Sequence, residues 1–167
     1  MVTPADGGAS AADAPLHIVL VEPEIPQNAG NVARTCAVVG AHLHFVHPLG
    51  FSLADRYLKR AGLDYWPQLS FTEHTSFEAF LSTVDVNNCI FTTKHASRPF
   101  TDVAYPAGAY AVFGKESAGL PAWVRRTYAE ACVRIPMLPE RRSLNLSNAV
   151  AVVAYEALRR RGFPGMV

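Results

Sequence analysis

Short apolar segments alternate with helix-forming segments along most of this chain, and this alternation constrains the fold more than any other feature. Strands are predicted at His17–Val21, His42–Val46, Tyr65–Phe71, Asn88–Thr92, Ala109–Phe113 and Cys132–Ile135. Helices are predicted over Asn28–Val39, from Ser52 through Arg60, from Ser76 through Leu81, from Pro121 to about Tyr128, and after Asn148. Strands that alternate with helices predict an α/β fold, in which a parallel sheet is covered by helices on both faces. In such folds, ligands bind at the carboxyl ends of the strands.

Length and composition indicate one domain with a well-buried interior. The chain has 167 residues, and 50% of them are hydrophobic. Residues Met1–Pro15 contain too little apolar surface to offset the entropy of ordering, so a flexible tail is predicted over 1–15 and a folded domain over 16–167. The formal net charge is only +1, so a nucleic-acid partner would have to be bound by local basic patches.

Cysteine usage and the N-terminal sequence predict a soluble, cytoplasmic protein. Cys36, Cys89 and Cys132 are odd in number and lie in or beside apolar segments, which is typical of reduced thiols. The N-terminal segment lacks the charged start and apolar core of a signal peptide. No apolar run is long enough to cross a bilayer, so we expect no membrane association.

The first polar loop, Glu22–Asn31, leads into a predicted helix whose single charge is Arg34. A guanidinium stays ionised and is rarely buried without a partner, so Arg34 requires a carboxylate or a phosphate nearby. Asn31 precedes Arg34 by about one helical turn and shares its helix face. An ion pair with Glu22 or Glu24 and a contact with a ligand phosphate are both compatible with this sequence.

The second polar loop, Gly114–Pro121, follows the predicted strand Ala109–Phe113. Its glycines permit close approach of a ligand, and Glu116 is its only carboxylate. Glu116 also separates the Gly-Lys pair from Ser117, which excludes the phosphate-binding P-loop pattern, and the spacing from glycine to serine excludes a nucleophile elbow. The alternative to a ligand-binding loop is an ordinary strand-to-helix turn.

The third polar segment, Pro136–Asn148, opens directly onto the apolar run Ala149–Leu158. Ser147 or Asn148 is expected to cap the helix. One cap does not account for all the polar side chains near the helix start, which are Ser143, Asn145, Ser147 and Asn148. The helix is apolar nearly all round and must be covered on more than one side. Either it is a central helix of the monomer, or a second copy of the chain covers it.

Histidines and basic clusters give weaker signals. His42 and His44 share one face of a predicted strand, but no third ligand stands at metal-binding spacing, so we expect partly exposed strand residues and no metal site. Most basic clusters are typical of solvated surface: Arg56/Lys59/Arg60, Lys94/His95/Arg98, Arg125/Arg126 and Arg159–Arg161. Arg141 and Arg142 border the third polar segment, and we expect them to contact phosphate.

Taken together, the three loops resemble the ordered motifs of the SPOUT-class tRNA ribose 2′-O-methyltransferases. The matching segments are Pro23-Glu-Ile-Pro-Gln-Asn-Ala-Gly-Asn-Val-Ala-Arg34, Phe113-Gly-Lys-Glu-Ser-Ala-Gly-Leu-Pro121, and Ile135-Pro-Met137 with Ser143-Leu-Asn-Leu-Ser-Asn148. The likeness extends from about Leu16 to Gly165. It is greatest for the short branch without an extra RNA-binding domain, which methylates the wobble nucleotide, cytidine or 5-carboxymethylaminomethyluridine, in certain leucine tRNAs.

The resemblance implies a trefoil knot in the C-terminal third of the chain, a homodimer, and a pocket for S-adenosylmethionine as co-substrate. By the same likeness, the cofactor would contact Phe91, Thr92, Gly114, Ile135, Met137, Ser143 and Leu144. Tyr155 lies on the helix that packs across the dimer in relatives. Lys115 departs from the proline that is common at its position, so its contacts are left open.

For catalysis, the resemblance assigns Arg34 to the target phosphate and to activation of the ribose hydroxyl. It assigns the organisation of the reacting groups to Glu116, Ser143 and Asn145. Methyl transfer from a sulfonium is an in-line displacement that requires alignment and removal of one proton, but no metal. Contacts with RNA are expected from Arg34, Arg141 and Arg142.

Two alternatives belong to other functional classes. One is a module of the same fold that binds RNA but has no transfer activity. The other is a hydrolase that uses Ser117 or Ser143 as its nucleophile, although the sequence offers no histidine and carboxylate partners at recognisable spacing.

Overall fold

The computed structural model describes residues 11–54 and 65–167, and its centre is a six-stranded parallel sheet. The strands are β1 (Leu16–Val21), β2 (His42–Val46), β3 (Phe71–His74), β4 (Cys89–Thr92), β5 (Ala109–Phe113) and β6 (Cys132–Val133). Their order across the sheet is β3-β2-β1-β5-β4-β6, and every neighbouring pair is parallel. The helices are α1 (Pro26–Val39), α2 (Phe77–Leu81), α3 (Ala122–Thr127) and α4 (Leu146–Arg159). The predicted α/β class is confirmed.

Two apolar clusters cover the two faces of the sheet. Ile18 of β1 packs in one cluster with Val32 of α1 and Val150 of α4. Its neighbour Val19 packs in the other cluster with Phe80 of α2. Alternate residues of a strand point to opposite faces, and all six residues of β1 are buried, as expected for a central strand covered on both sides.

One predicted strand is wrong. Within the predicted segment Tyr65–Phe71, residues Trp66–Gln68 form a 3₁₀ helix, and the strand begins only at Phe71. Pro67 has no backbone N–H to donate to a sheet ladder, so the segment turns before it can pair. Pairing with β2 starts where Leu43 lies opposite Phe71.

Two helix boundaries follow the predicted signals. Helix α1 ends at Gly40, whose φ of 70° is the left-handed conformation that glycine adopts readily. Helix α2 is capped by Ser76, whose Oγ accepts a hydrogen bond from the Ala79 N–H at 3.1 Å. The helix predicted from Ser52 through Arg60 lies largely outside the described residues.

The cysteines are buried free thiols, and burial raises the pKa of the Cys89 thiol to about 12. Such thiols stay protonated and act as small apolar side chains. Among the described residues, no helix is long and apolar enough to span a membrane.

The expectation that His42 and His44 are partly exposed is wrong. Their exposed fractions are only 3% and 6%, because the face of β2 on which they lie is covered by neighbouring aromatic rings. The two ring nitrogens of His42 lie 2.6 Å from Ser70 Oγ and 2.8 Å from Thr72 Oγ1. Buried polar groups require such partners, and here neighbouring strands supply them.

Three histidines from adjacent strands form a hydrogen-bonded chain across the sheet. His17 Nδ1 lies 2.9 Å from His44 Nε2, and His44 Nδ1 lies 2.9 Å from His74 Nε2. These distances fit neutral rings, each with one nitrogen that donates and one that accepts, and burial favours the neutral state by lowering the pKa of all three histidines. Within residues 11–54 and 65–167, no group of three or more His, Cys, Asp or Glu side chains could hold a metal ion.

We expect the free energy of unfolding to decrease as the pH falls below about 6.5. Burial, and then the neighbouring histidines, lower the pKa of His42 to about 4 and also lower the pKa of His44. The unfolded chain therefore binds protons that the folded chain excludes, which costs up to about 1.4 kcal/mol per pH unit for each histidine. Urea unfolding between pH 7.5 and pH 4.5 measures this slope. If the free energy of unfolding of His44→Gln depended on pH as steeply as that of the parent, His44 would not contribute to this pH dependence.

Candidate active site

A cavity of about 1110 Å³ lies at the carboxyl ends of the central strands. It is lined by the last residues of three strands, which are Val21 of β1, Thr92 of β4 and Phe113 of β5. All three polar loops contribute to its walls. They follow β1, β5 and β6, whose carboxyl ends lie at the same edge of the parallel sheet. The location is the one expected for a ligand site in a parallel α/β sheet.

Most of the side chains predicted for the site line this cavity. They are Thr92, Gly114, Glu116, Ile135, Met137, Arg142, Ser143, Leu144 and Asn145. The residues that do not line it are Phe91, Arg34, Arg141 and Tyr155. Phe91 is fully buried among apolar residues, where its ring stacks on Tyr128 with centroids 5.2 Å apart.

Gly114 allows the loop after β5 to fold back on itself. A Cβ atom at this position would lie 2.1 Å from the carbonyl carbon of Gly119 and 2.1 Å from the Leu120 nitrogen. The Gly119 N–H donates to the Lys115 carbonyl at 2.8 Å, which closes the turn. Glycine is therefore required here for close backbone approach.

Glu116 joins the second loop to the start of α1. Its carboxylate accepts hydrogen bonds from the Glu24 N–H at 2.8 Å, from the Ile25 N–H at 3.2 Å and from the Asn28 amide at 3.0 Å. Backbone N–H groups at a helix start have no intrahelical partner, and a carboxylate satisfies them well. With these donors in place, Glu116 acts as a fixed acceptor that sets the distance between the two loops.

Asn28 and Asn145 join the first loop to the third. The Asn145 Nδ2 donates to Asn28 Oδ1 at 2.9 Å, so the three loops are connected through one side-chain network with Glu116. Asn28 is 5% exposed and was not singled out from the sequence. The available signal was the position of this amide in the first turn of the helix, where burial of a polar group requires a partner.

The prediction that Ser147 or Asn148 caps the last helix is wrong, because Asn145 is the cap. Asn145 Oδ1 accepts from the Ser147 N–H at 2.9 Å, from the Ser147 hydroxyl at 2.6 Å and from the Asn148 N–H at 3.4 Å. Helix α4 therefore begins at Leu146, earlier than expected. The polar residues at the helix start therefore have different roles. Asn145 caps α4 and contacts Asn28, whereas Ser143 lines the cavity.

The acidic residues of the first loop have partners in the second loop. Glu22 Oε2 accepts from Lys115 Nζ at 2.8 Å, which settles the contact of that lysine. Glu24 accepts from the backbone N–H and from the hydroxyl of Ser117, each at 2.8 Å, and these bonds lower the pKa of the Glu24 carboxyl. The Ser117 hydroxyl therefore points to a carboxylate and not to a histidine base, which removes support from the hydrolase alternative.

Arg34 is exposed, and its guanidinium carbon lies 5.0 Å from the centre of the Tyr65 ring. Within the described residues, no carboxylate lies at ion-pair distance from Arg34, so the proposed pair with Glu22 or Glu24 is wrong. An exposed guanidinium over an aromatic face is stabilised by the cation–π attraction while its N–H groups stay free. The group is available for a phosphate.

Among the residues that the structure describes, helix α4 is covered by its own chain on one side only. Val150, Val153 and Ala154 are fully buried, whereas Val152 is 40% exposed and Tyr155 is 47% exposed. The interpretation of a central helix surrounded by the monomer does not match this one-sided burial. A large apolar face on an otherwise buried helix is typical of an interaction surface.

We expect Asn145→Ala to lower the free energy of unfolding by about 1–2 kcal/mol, because the helix loses its cap. Asn145→Asp keeps an acceptor for the Ser147 and Asn148 N–H groups and should recover the capping contribution. Ser143→Ala is the control, since no hydrogen bond within the described structure holds that exposed side chain. Urea unfolding of the three variants measures the difference, and an Asn145→Ala protein as stable as the parent would refute the capping role.

The sequence was compared with known proteins, and one family model matches a segment that includes all residues lining the cavity. Residues 15–155 match the model of the SpoU rRNA Methylase family. A relative from Escherichia coli (strain K12), named tRNA (cytidine(34)-2′-O)-methyltransferase, is 46% identical over 153 residues, which cover 91% of this chain and 98% of the relative. A relative of the same name from Burkholderia cenocepacia is 48% identical, with 89% and 97% covered.

Solved structures give the same result. A structure described as providing structural insights into the 2-OH methylation of C/U34 on tRNA is 46% identical, covers 88% of this chain and 96% of its own, and has a TM-score of 0.84. The SpoU methyltransferase AviRb from Streptomyces viridochromogenes, solved in complex with AdoMet, is 25% identical with a TM-score of 0.78. This chain covers 58% of the AviRb chain, and the match covers 89% of this chain.

Proposed function

This chain belongs to the SpoU rRNA Methylase family, and from that premise we propose that it transfers a methyl group from S-adenosylmethionine to the ribose 2′-oxygen of nucleotide 34 in tRNA. The observation that carries this proposal is the network of Asn28, Glu116 and Asn145, which joins the three polar loops beside one large cavity. Relatives that are 46–48% identical over nearly their whole length carry the corresponding name.

The cavity fits S-adenosylmethionine in size and in chemistry. Its volume is about 1110 Å³, and pockets for small organic ligands typically span about 300–1,000 Å³. Thr92 Oγ1 is buried without a hydrogen-bond partner in the described structure, as expected for a group that awaits a ligand. When bound, the cofactor supplies a methyl group whose leaving group is already activated. The residues proposed to hold it are Thr92, Gly114, Ile135, Met137, Ser143 and Leu144, with Phe91 contributing only backbone.

The polar residues are proposed to act on the RNA and on the geometry of the site. Arg34 binds the phosphate of the target nucleotide and stabilises the negative charge that develops on the ribose oxygen. Asn145 and Ser143 orient the ribose, while Glu116 is a positioning residue because its carboxylate is occupied by three N–H donors. Arg142, together with Arg141, is proposed to bind RNA phosphates next to the cavity.

A homodimer is proposed to be the active form. Helices α1 and α4 pack against each other, and Val38 of α1 is exposed, as are Val152 and Tyr155 of α4. We infer that these side chains belong to one surface. A second copy of this surface would bury these side chains and would combine the basic patches of two weakly charged chains. We expect Tyr155→Asp to sediment as a monomer and to lose tRNA methylation. Normal methylation by a monomeric variant would overturn the dimer proposal.

The proposed substrates are leucine tRNAs with cytidine or 5-carboxymethylaminomethyluridine at the wobble position, which places the reaction in the cytoplasm. The test is mass spectrometry of leucine tRNAs from cells with and without this protein, followed by methylation with the purified chain. Loss of one ribose methyl group at nucleotide 34, restored by the purified protein, is expected. If the tRNA methylation is the same in cells with and without the protein, and the purified protein nevertheless binds tRNA, the inactive RNA-binding module is favoured instead.

A further inference from the structure

Three basic side chains, Lys94, His95 and Arg125, line the cavity at a place that the proposed catalytic residues do not use. We call them the basic rim. Lys94 and His95 follow strand β4, and Arg125 lies in the last turn of α3. In the sequence they belong to two separate clusters typical of solvated surface, and only the fold brings them to one cavity wall.

The members of the basic rim lie within electrostatic range of one another. Desolvation, followed by the positive charges of Arg125 and Lys94, lowers the pKa of His95. The Thr93 hydroxyl accepts a hydrogen bond from the His95 N–H at 3.3 Å, which shapes the turn that presents Lys94 and His95. At neutral pH the rim therefore offers two permanent cations and one neutral imidazole donor.

In the part of the chain that the structure describes, the two cations of the rim have no carboxylate partners. The carboxylates nearby are already occupied, because Glu22 pairs with Lys115 and Glu116 accepts three N–H donors. Within residues 11–54 and 65–167, neither Lys94 nor Arg125 takes part in an ion pair. Several uncompensated cations around one cavity attract an anionic ligand.

The cofactor does not account for this charge. S-adenosylmethionine carries a sulfonium, an ammonium and one carboxylate, so it is itself net positive. RNA carries one negative charge per nucleotide and matches a set of separate cations. We propose that Lys94, His95 and Arg125 bind the phosphodiester groups that flank the nucleotide to be methylated and position the RNA over the cavity. This assignment rests on the proposed function and adds a second phosphate contact surface to Arg141 and Arg142.

Two other arginines nearby are unsuited to this role, and one of them provides a control. Arg98 donates to the Asp102 carbonyl at 2.7 Å and to the Glu130 carbonyl at 3.3 Å, so its guanidinium holds the loop. Arg126 follows Arg125 in the same helical turn and is exposed, but it does not line the cavity. Arg126→Gln therefore removes the same charge from the same helix without touching the rim.

The test compares tRNA binding by Lys94→Gln/Arg125→Gln, by Arg126→Gln and by the parent protein. The probe is a leucine tRNA transcript, and fluorescence anisotropy measures its Kd at several salt concentrations. These span roughly 0.05 to 0.3 M, where the release of counterions dominates the salt dependence of binding. Two lost contacts with a single-stranded loop should weaken binding roughly 25-fold at about 0.1 M salt and reduce the slope of log K against log salt by about 1.4. Arg126→Gln should change Kd less than about threefold, and the charge-conserving variant Lys94→Arg/Arg125→Lys should recover most of the affinity.

Calorimetric titration with S-adenosylmethionine separates the two possible anions. The double variant should bind the cofactor with unchanged affinity. A loss of cofactor affinity with unchanged tRNA affinity would assign the rim to the cofactor carboxylate and overturn the proposal. An equal loss of tRNA affinity in Arg126→Gln would also overturn it, because general charge would then explain the effect.

The binding measurement also separates this proposal from the proposed function. If the parent protein binds tRNA but transfers no methyl group, the proposed function fails while the rim comparison still stands. If the parent methylates tRNA and the double variant binds tRNA as tightly as the parent, the rim proposal alone fails. Thermal unfolding of each variant checks that it is folded. If the double variant is unstable, the two single variants replace it, and each is expected to bind tRNA about fivefold more weakly than the parent at about 0.1 M salt.

Discussion

Arg34→Ala is expected to lower the rate of methyl transfer at saturating substrate about 100- to 1,000-fold, because the developing negative charge on the ribose oxygen loses its oriented cationic donor. The side chain is exposed above Tyr65 and does not line the cavity, so its removal should leave the affinity for S-adenosylmethionine within about twofold of the parent. The fold should also tolerate the change, since an exposed cation–π contact contributes only about 0.5–1 kcal/mol. Single-turnover methylation of tRNA and calorimetric cofactor binding measure the two effects.

Matched variants decide whether the guanidinium itself is required. Arg34→Lys keeps the charge but loses the planar fork of donors, so partial activity is expected. Thr35→Ala alters the adjacent residue, whose hydroxyl donates to the Asn31 carbonyl at 3.2 Å, and should retain nearly full activity. Turnover by Arg34→Ala close to that of the parent would remove Arg34 from the mechanism and leave it as a surface residue of α1.

Gly114→Ala is expected to disrupt the loop after β5, with a loss of about 3 kcal/mol or more in the free energy of unfolding. The added Cβ would lie 2.1 Å from the Leu120 nitrogen and 2.5 Å from the Gly119 carbonyl oxygen, and backbone atoms cannot rotate away as a flexible side chain can. The loop that carries Glu116 would have to open, so cofactor affinity should fall at least about tenfold. Urea unfolding and calorimetry measure both effects.

Gly119 provides the matched control for this steric argument. Its φ is 70°, and a Cβ atom there would meet nothing within 4 Å. Gly119→Ala should therefore cost only the strain of a left-handed alanine, about 1–2 kcal/mol. A Gly114→Ala protein as stable as Gly119→Ala would show that the loop relaxes easily, and the close backbone packing at Gly114 would then be unimportant.

Much of the fold could be predicted because its signals are local. The β-forming segment His42–Val46 and the glycine after α1 specify a strand and a helix end within a few residues of chain. The wrongly predicted strand contains both strand-forming residues and a proline that opposes pairing. Tyr65–Phe71 has strand-forming residues, but Pro67 cannot donate to the ladder, and the register with β2 starts the strand later.

The burial of the histidines also could not be predicted from the local sequence. A strand with alternating histidines reads locally as partly exposed, because nothing in the segment itself indicates what lies above it. The structure places His17, His44 and His74 on three adjacent strands, where each ring is hydrogen-bonded to the next. Phe80 contacts the rings of His44 and His74, and Tyr110 stacks on His17. Only the order of the strands reveals that these polar groups have partners.

The sequence by itself determined the α/β class, the strand positions near the centre of the sheet and the composition of the three polar loops, because periodicity, caps and turn residues act over short stretches of chain. The tertiary structure decided which groups meet. Asn28 contacts Glu116 across 88 positions because parallel pairing of β1 with β5 brings the loops after these strands together, and it contacts Asn145 across 117 positions where α4 packs against α1. Contacts between distant residues depend on strand order and register, which no local pattern encodes.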